Sequence, residues 1–247
     1  MNRIKTIFQS IAIEILLIFC IGCANLHPTP IWYFFFYNLL YGIVLSLLIP
    51  LYLLRKEKNI SDFIGVKKWG RKQSIVLAVF IAFSVGGQLI PIAASGSAIP
   101  WNVLPMGIIP LIMTTFFEEF LFRGFMQNKF EKDFGTLPAV FFSGLMFSLY
   151  HLGYPGFRTL GDLLLLFAVG VGFAAAYKLS GNNLIAAYFV NLPNAFVTYI
   201  LKQEQFPIMT MSSTIAGIVT LVIIVTILFC QVRRIFDKFC CSRRTGT

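Results

Sequence analysis

Long, nearly uncharged apolar runs recur along the whole of this 247-residue chain and constrain its fold more than any other feature. A helix needs about 20 apolar residues to cross the hydrocarbon core of a bilayer. Because every backbone group must find a hydrogen bond inside that core, runs of this length favour helices. Hydrophobic residues make up 57% of the chain and charged residues only 12%, which excludes a soluble globular domain. The sequence therefore predicts an all-α, polytopic bundle of membrane-spanning helices.

The hydropathy pattern predicts about eight transmembrane helices. They lie at residues 6–26, 31–54, 75–95, 104–123, 136–152, 160–178, 182–201 and 209–230. The basic segment MNRIK before the first span resembles the start of a signal peptide, but the long apolar part favours an uncleaved anchor. No linker, low-complexity tract or internal repeat divides the spans. We therefore expect residues 1–247 to form a single integral membrane domain, with a basic tail at 232–247.

The basic residues are distributed unevenly between the loops. With eight spans, 18 of the 20 Lys and Arg residues fall on the side of the two termini, and only Arg158 and Lys202 fall opposite. The positive-inside rule therefore predicts that both termini are cytoplasmic. The net charge of +10 is explained by this topology and by contact with anionic lipid headgroups. Because the charges are scattered over membrane-adjacent loops, we expect no nucleic-acid partner.

Two adjacent carboxylates, Glu118 and Glu119, interrupt the apolar run TTFFEEFLFRGFMQ and are followed by Arg123. Buried carboxylates are costly, so this pair must have partners or face a wet cavity. Glu119 and Arg123 have the i,i+4 spacing of an ion pair on one helix face. Glu118 points about 100° away and is less compensated, which suits a general base. The alternative is a purely structural ion pair.

His151, in the segment FSLYHLGYP, is one of only two histidines in the chain. If the fourth helix continues to a turn near residues 133–135, Glu118 lies 16 residues before Phe134 and His151 lies 17 after it. At about 1.5 Å per residue, the two side chains reach a matching depth on antiparallel helices. A carboxylate that faces an imidazole is what assisted attack by water requires. The alternative is a hydrogen-bonded contact between helices.

Asn191 and Asn194 lie on one face near the middle of the seventh span, with Pro193 between them. Amides in hydrocarbon need hydrogen-bond partners, and a proline leaves a backbone carbonyl unpaired. These amides could donate to a developing oxyanion, or they could simply join neighbouring helices. Glu14, in the first span, is a further intramembrane carboxylate whose sequence neighbours suggest no partner.

The chain resembles the CAAX-protease and bacteriocin-processing (CPBP, or Abi) family of glutamate-dependent intramembrane proteases. The EExxxR motif of the family is matched by residues 118–123, and its FxxxH motif is matched by residues 147–151. Each motif alone is short, but the two occur in the family's order and on adjacent spans. The resemblance covers roughly residues 60–201, which we therefore expect to be the catalytic core.

The resemblance implies a role for each residue of the motifs. Glu118 would activate the water molecule, and His151 would assist. We also expect supporting roles for Glu119, Arg123, Phe147 and Asn194.

The third motif of the family, HxxxN or HxxxD, is not matched. Asn191 stands at the position of the histidine, Ala195 stands four residues later, and no histidine follows residue 151. The second catalytic imidazole is therefore absent, and we expect Asn191 to be the third catalytic residue. Glu118, His151 and an amide would make a poor zinc site. We expect no cofactor, with a divalent metal such as zinc as the alternative.

The resemblance also implies a biological role. We expect a protein of the bacterial plasma membrane that gives a bacteriocin producer self-immunity, of the plantaricin-immunity type, by hydrolysing a peptide in the membrane. Its partners would be membrane lipids and a peptide or protein substrate, such as a bacteriocin or its receptor. One alternative is a weak or inactive family member that binds a bacteriocin or shields its receptor. Another is a proton-coupled transporter that uses Glu14, Glu118 and His151, although the sequence shows no internal repeat.

Topology reporters test the predicted orientation. Reporter proteins fused in the loop 55–74 and at the C-terminus should both report the cytoplasm, because both regions carry clustered Lys and Arg. A fusion in the loop near residues 97–103 is the control and should report the outside. A loop 55–74 that faces outward, with a C-terminus that faces inward, would contradict the eight-span topology.

Overall fold

The structure, a computed structural model, describes residues 2–27, 29–157, 159–201, 215 and 217–222. Within this part of the chain all regular structure is helical, and seven helices are long and apolar enough to cross a membrane. They are α1 (Asn2–Ala24), α2 (Pro30–Leu53), α3 (Arg71–Ala94), α4 (Trp101–Phe134), α5 (Thr136–Gly153), α6 (Leu160–Leu179) and α7 (Leu184–Leu201). The predicted all-α membrane bundle is confirmed, and the first seven predicted spans each correspond to one of these helices.

α4 is longer than the span predicted at residues 104–123. It continues through the polar stretch NKFEKDF to Phe134, and Gly135 ends it with a φ of +90°. This φ favours glycine because it is strained for residues with a side chain. The prediction ended too early because hydropathy marks only the apolar part of a helix. The chain reverses into α5 at Gly135, where the sequence predicts a turn.

Two segments are wound as π-helix, in which the backbone hydrogen bonds span five residues instead of four. They are Phe34–Leu48 in α2 and Glu119–Gln127 in α4. All nine residues of the second segment are buried. Because π-helical winding often occurs at functional sites, its start at the paired glutamates makes this part of α4 a candidate functional site.

α4 lies at the centre of the bundle and contacts α2, α5, α6 and α7. Glycines allow close approaches between helices of the bundle. A methyl group at Gly42 in α2 would lie 2.2 Å from the ring of Phe117 in α4. One at Gly153 would lie 2.7 Å from Ile21, so glycine lets α1 pack against the end of α5. α3 is peripheral, since it packs mainly on α7 and none of its residues is buried.

Charged side chains pair at the end of the bundle where α4 turns into α5. Lys132 forms an ion pair with Glu57, and Lys178 forms one with Glu131. Basic residues that the sequence assigns to one side of the membrane are therefore at one end of the bundle. The side of the membrane that this end faces stays a prediction, as does the plasma-membrane location.

The eighth span, predicted at residues 209–230, lies largely outside the described residues. Residues 217–222 are helical, and Thr220 accepts a hydrogen bond from Asn38 in α2, with 2.8 Å between Nδ2 and Oγ1. The described part of this span contacts both α2 and α4. The basic tail at 232–247 lies outside the described residues, and the division of the chain into one domain with a catalytic core stays a prediction.

Candidate active site

Glu118, Glu119 and Arg123 lie together on α4, inside the bundle. Their relative exposures are 7%, 1% and 0%. The ion pair expected from the sequence is present, with Arg123 Nε at 3.5 Å from Glu119 Oε2. Arg123 also donates from Nη2 to the backbone oxygen of Gly170 in α6, at 3.1 Å. Arg123 therefore compensates the charge of Glu119 and ties α4 to α6, whereas the ion pairs of the described residues do not include Glu118.

Three aromatic rings surround the guanidinium group of Arg123. Its central carbon lies 4.7 Å from the ring centre of Phe147, 5.5 Å from that of Phe173 and 5.9 Å from that of Phe122. Cation–π attraction contributes about 2 kcal/mol or more when water is absent. The rings therefore stabilise a cation that has lost its hydration shell, and Phe147 links the first predicted motif to the second.

Hydrogen bonds from two other helices hold Glu118. The hydroxyl group of Tyr150, near the end of α5, donates to Glu118 Oε1. The side-chain amide of Asn191, in α7, donates from Nδ2 to Glu118 Oε2 at 3.0 Å and to Glu119 Oε1 at 2.9 Å. The two amide hydrogens are therefore engaged, one on each carboxylate. The two glutamates are the point where α4, α5 and α7 meet.

Sequence reasoning missed Tyr150. The residue spacing predicts that His151 lies at the depth of Glu118, but the residue of α5 that contacts Glu118 is Tyr150. The signal was present, because Glu118 and Tyr150 both lie 16 residues from Phe134. The hydroxyl group of a buried tyrosine needs a hydrogen-bond partner, which is a second reason to consider this residue.

His151 follows Tyr150 in the 3-10 turn that ends α5. Its Nδ1 atom lies 2.7 Å from the backbone oxygen of Phe147. Because a carbonyl oxygen only accepts, Nδ1 carries the proton, and Nε2 is the basic nitrogen of the neutral ring. The imidazole is buried beside Tyr150, with 4.2 Å between the ring centres. His151 is therefore next to the tyrosine that contacts Glu118, and its catalytic role stays a prediction.

Asn191 and Asn194 have different partners. Asn194 Oδ1 accepts from Gln88 Nε2 of α3 at 2.7 Å, and Gln88 Oε1 accepts from Thr198 Oγ1 at 2.9 Å. Asn194 thus fastens the peripheral helix α3 to α7, while Asn191 faces the carboxylates of α4. Sequence reasoning did not identify Gln88, because a single glutamine in an apolar helix gives no indication of its partner. The supporting role of Asn194 stays a prediction.

The donors around Glu118 do not suit zinc. Zinc favours imidazole, thiolate and carboxylate ligands, whereas Glu118 accepts hydrogen bonds from a phenol and an amide. In the part of the chain that the structure describes, no three side chains of His, Cys, Asp or Glu converge as a metal site requires. The described residues around Glu118 therefore do not fit a metal ion, and the expected absence of a cofactor stays a prediction.

Comparison with protein families agrees with the two motifs. Residues 100–197 match the family described as type II CAAX prenyl endopeptidase Rce1-like. The matched segment contains both motifs as well as Tyr150 and Asn191. The predicted resemblance to the CAAX-protease and bacteriocin-processing family is confirmed over the matched segment. The seven apolar helices indicate a multi-pass membrane protein.

The protein is also similar to lysostaphin resistance protein A of Staphylococcus haemolyticus (strain JCSC1435). The two proteins are 26% identical over 138 residues. The alignment covers 51% of this chain and 37% of that protein, so the chain spans well under two thirds of the length of this relative. No solved structure matches the chain.

Replacing Arg123 should destabilise the protein strongly. Arg123→Ala leaves the buried Glu119 without its cation, and removing one partner of a buried pair costs about 3–5 kcal/mol. We expect a large drop in the thermal unfolding temperature in detergent and in the amount of protein in membranes.

Lys132→Ala is the matched control for Arg123→Ala. It also breaks an ion pair with a glutamate, but the Lys132 side chain is 60% exposed. Exposed pairs contribute about 0–1 kcal/mol, so the unfolding temperature should change little. Equal effects of the two substitutions would contradict the structural importance of the buried pair.

Proposed function

We propose that this protein is an intramembrane endopeptidase of the CAAX-protease type in which Glu118 is the general base. The observation that carries the proposal is the difference between the two glutamates. Glu119 has an ion pair with Arg123, whereas the described contacts of Glu118 are hydrogen bonds from Tyr150 and Asn191. Because Glu118 is not committed to a cation, it is the carboxylate that can take up a proton.

The proposed reaction is hydrolysis of a peptide bond within the membrane. Glu118 takes a proton from a water molecule while the water oxygen attacks the carbonyl carbon of the substrate. A protonated Glu118 accepts hydrogen bonds less strongly, which releases one amide hydrogen of Asn191 for the new oxyanion. Such a donor lowers the barrier by about 2.7–4 kcal/mol. The C–N bond then breaks, the leaving nitrogen takes the proton from Glu118, and the products are a carboxyl group and an amine.

Tyr150 and His151 have different proposed tasks. Tyr150 is a positioning residue because its hydroxyl group fixes one oxygen of Glu118. A carboxylate oxygen has two lone pairs, so Glu118 can accept this bond and still bind a water molecule. His151, with Nε2 as its basic nitrogen, would orient the water or assist the leaving nitrogen.

The proposed biological role is self-immunity of a bacteriocin producer, in the bacterial plasma membrane. The substrate would be a bacteriocin peptide or a protein receptor that the bacteriocin uses. Similarity to a protein named for lysostaphin resistance supports protection against an antibacterial agent. The family match supports a peptide substrate that lies in the membrane.

A binding protein without activity is the second candidate, and Asn191 is the observation that favours it. An imidazole at this position could transfer a proton, whereas an amide cannot. Asn191 already donates to both carboxylates, which is a stable arrangement without a substrate. In this second function the protein would hold a bacteriocin or shield its receptor without cleaving either.

Glu118→Gln should abolish protection. The substitution preserves size but removes the base, and a general base contributes about 10²–10⁴-fold to a rate. Survival is measured in a sensitive bacterial host challenged with a bacteriocin, or with lysostaphin, against which the wild-type protein protects. Mass spectrometry of the bacteriocin or lysostaphin used in the challenge detects cleavage. An immunoblot of the membrane fraction shows that the variant is present.

Glu14→Gln is the matched control, because Glu14 is also a buried glutamate but lies in α1. We expect it to leave protection unchanged. Full protection by Glu118→Gln would defeat the catalytic proposal and favour the binding protein. Loss of protection with both substitutions would favour a proton-coupled transporter.

Asn191 provides a separate test of the mechanism. Asn191→Leu removes the donor and should lower the cleavage rate by about 10²–10³-fold. Asn191→His restores a donor of the type found in the family and should retain activity. Chelators should have little effect on either the wild-type protein or Asn191→His. Reversible loss of activity on chelation would contradict the metal-free mechanism.

A further inference from the structure

A small cavity inside the bundle lies between α2 and α4. Its walls include Tyr33, Tyr37 and Asn38 of α2 and Met113, Thr114 and Phe117 of α4. The free volume is about 10 Å³, which is room for about one water molecule and too little for an organic ligand. Any occupant must therefore be of the size of water.

Two polar atoms at this cavity lack a hydrogen-bond partner among the described residues. They are the hydroxyl oxygen of Tyr33 and Oδ1 of Asn38, and both atoms are buried. Asn38 as a whole is only 5% exposed. A buried polar atom without a partner costs about 1–3 kcal/mol, so a water molecule at this position would be stabilising. A buried water needs two to four polar partners, which these two atoms and the neighbouring hydroxyl group of Thr114 supply.

Hydroxyl groups connect the cavity to the candidate active site. Thr114 precedes Glu118 by one helical turn, so the two side chains lie on the same side of α4. The Tyr37 hydroxyl is hydrogen-bonded to that of Thr114 at 3.0 Å and to that of Tyr154 at 2.6 Å. The ring centre of Tyr154 lies 5.7 Å from that of His151. Polar groups therefore lead from the cavity toward both Glu118 and His151.

We infer that this cavity is a second site of the protein, which binds one water molecule and supplies it to Glu118 for hydrolysis. Water binding follows from the cavity and its polar atoms, whereas the supply of water rests on the proposed function. Hydrocarbon excludes water from the membrane core, so an intramembrane hydrolase must hold its second substrate close to the base. A water bound one helical turn from Glu118 replaces each water that the reaction consumes.

Hydroxyl-radical footprinting with X-ray pulses tests water binding. It is applied to the purified full-length protein in lipid nanodiscs, where radicals formed from a bound water oxidise adjacent side chains. Met113 and Met146 are matched reporters, since both are 4% exposed and Met113 lines the cavity whereas Met146 lies in α5. We expect Met113 to be oxidised several times faster than Met146. Equal rates would overturn the proposal.

Two variants test whether this oxidation depends on the unpaired polar atoms. Asn38→Leu replaces the amide with an apolar group of similar size and should lower the Met113 rate to that of Met146. Asn38→Leu also removes the contact with Thr220. Tyr33→Phe is therefore the second variant, because it deletes only a hydroxyl group. We expect the Met113 rate to fall in both. Unchanged rates in both variants would overturn the site.

Tyr37→Phe tests the supply of water, because it removes the hydroxyl that joins Thr114 to Tyr154. We expect protection to fall while the Met113 oxidation and the amount of protein in membranes persist. Full protection by Tyr37→Phe, under conditions where Glu118→Gln abolishes protection, would overturn the supply role. Full protection by Glu118→Gln would instead overturn the proposed function. Water binding in the cavity would then still be tested by the oxidation rate of Met113, which does not depend on the proposed function.

Discussion

The guanidinium group of Arg123, with no exposed surface, is the charge around which the site is organised. A cation without water needs a counter-charge, acceptors and polarisable neighbours at the same time. Glu119 supplies the charge, the backbone oxygen of Gly170 accepts a hydrogen bond, and the ring of Phe147 covers one face. Buried ion pairs seldom stabilise a fold more than apolar residues of the same size would. The pair therefore matters more for the arrangement of α4, α5 and α6 than as a source of net stability, although the loss of either partner is costly.

That arrangement assigns different tasks to the two carboxylates and to the amide between them. Asn191 donates one hydrogen to Glu118 and one to Glu119, so it fixes the distance between a carboxylate that is paired and one that is not. An imidazole at position 191 would offer two nitrogen atoms pointing in different directions, and it could itself gain or lose a proton. An amide donates from a single nitrogen and keeps its protons. In the proposed mechanism, proton transfer therefore rests on Glu118 and His151, while Asn191 acts through hydrogen bonding alone.

Most of the fold and part of the site could be predicted from the sequence, and the difference has a physical basis. Spans and the Glu119–Arg123 pair depend on local properties, namely hydropathy and the i,i+4 spacing of one helix. Tyr150 and Gln88 could not be assigned in this way, because each acts on another helix and the direction of a side chain depends on helix packing. A shift of one residue along α5 changes the direction of a side chain by about 100°, which is enough to exchange His151 for Tyr150 at the carboxylate.

The winding of α4 changes between neighbouring residues that have different contacts. The helix is α-helical up to Glu118 and π-helical from Glu119 to Gln127. Thr114 and Glu118, one α-helical turn apart, contact hydroxyl groups of α2 and α5. Beyond the change in winding, Glu119 pairs with Arg123, whose guanidinium reaches α6. Glu118, the group proposed to react, is thus held by the hydroxyl group of Tyr150. The Glu119–Arg123 pair, which follows the change in winding, has aromatic rings around its guanidinium group. The reacting carboxylate can then change its protonation state without opening the ion pair that holds the helices together.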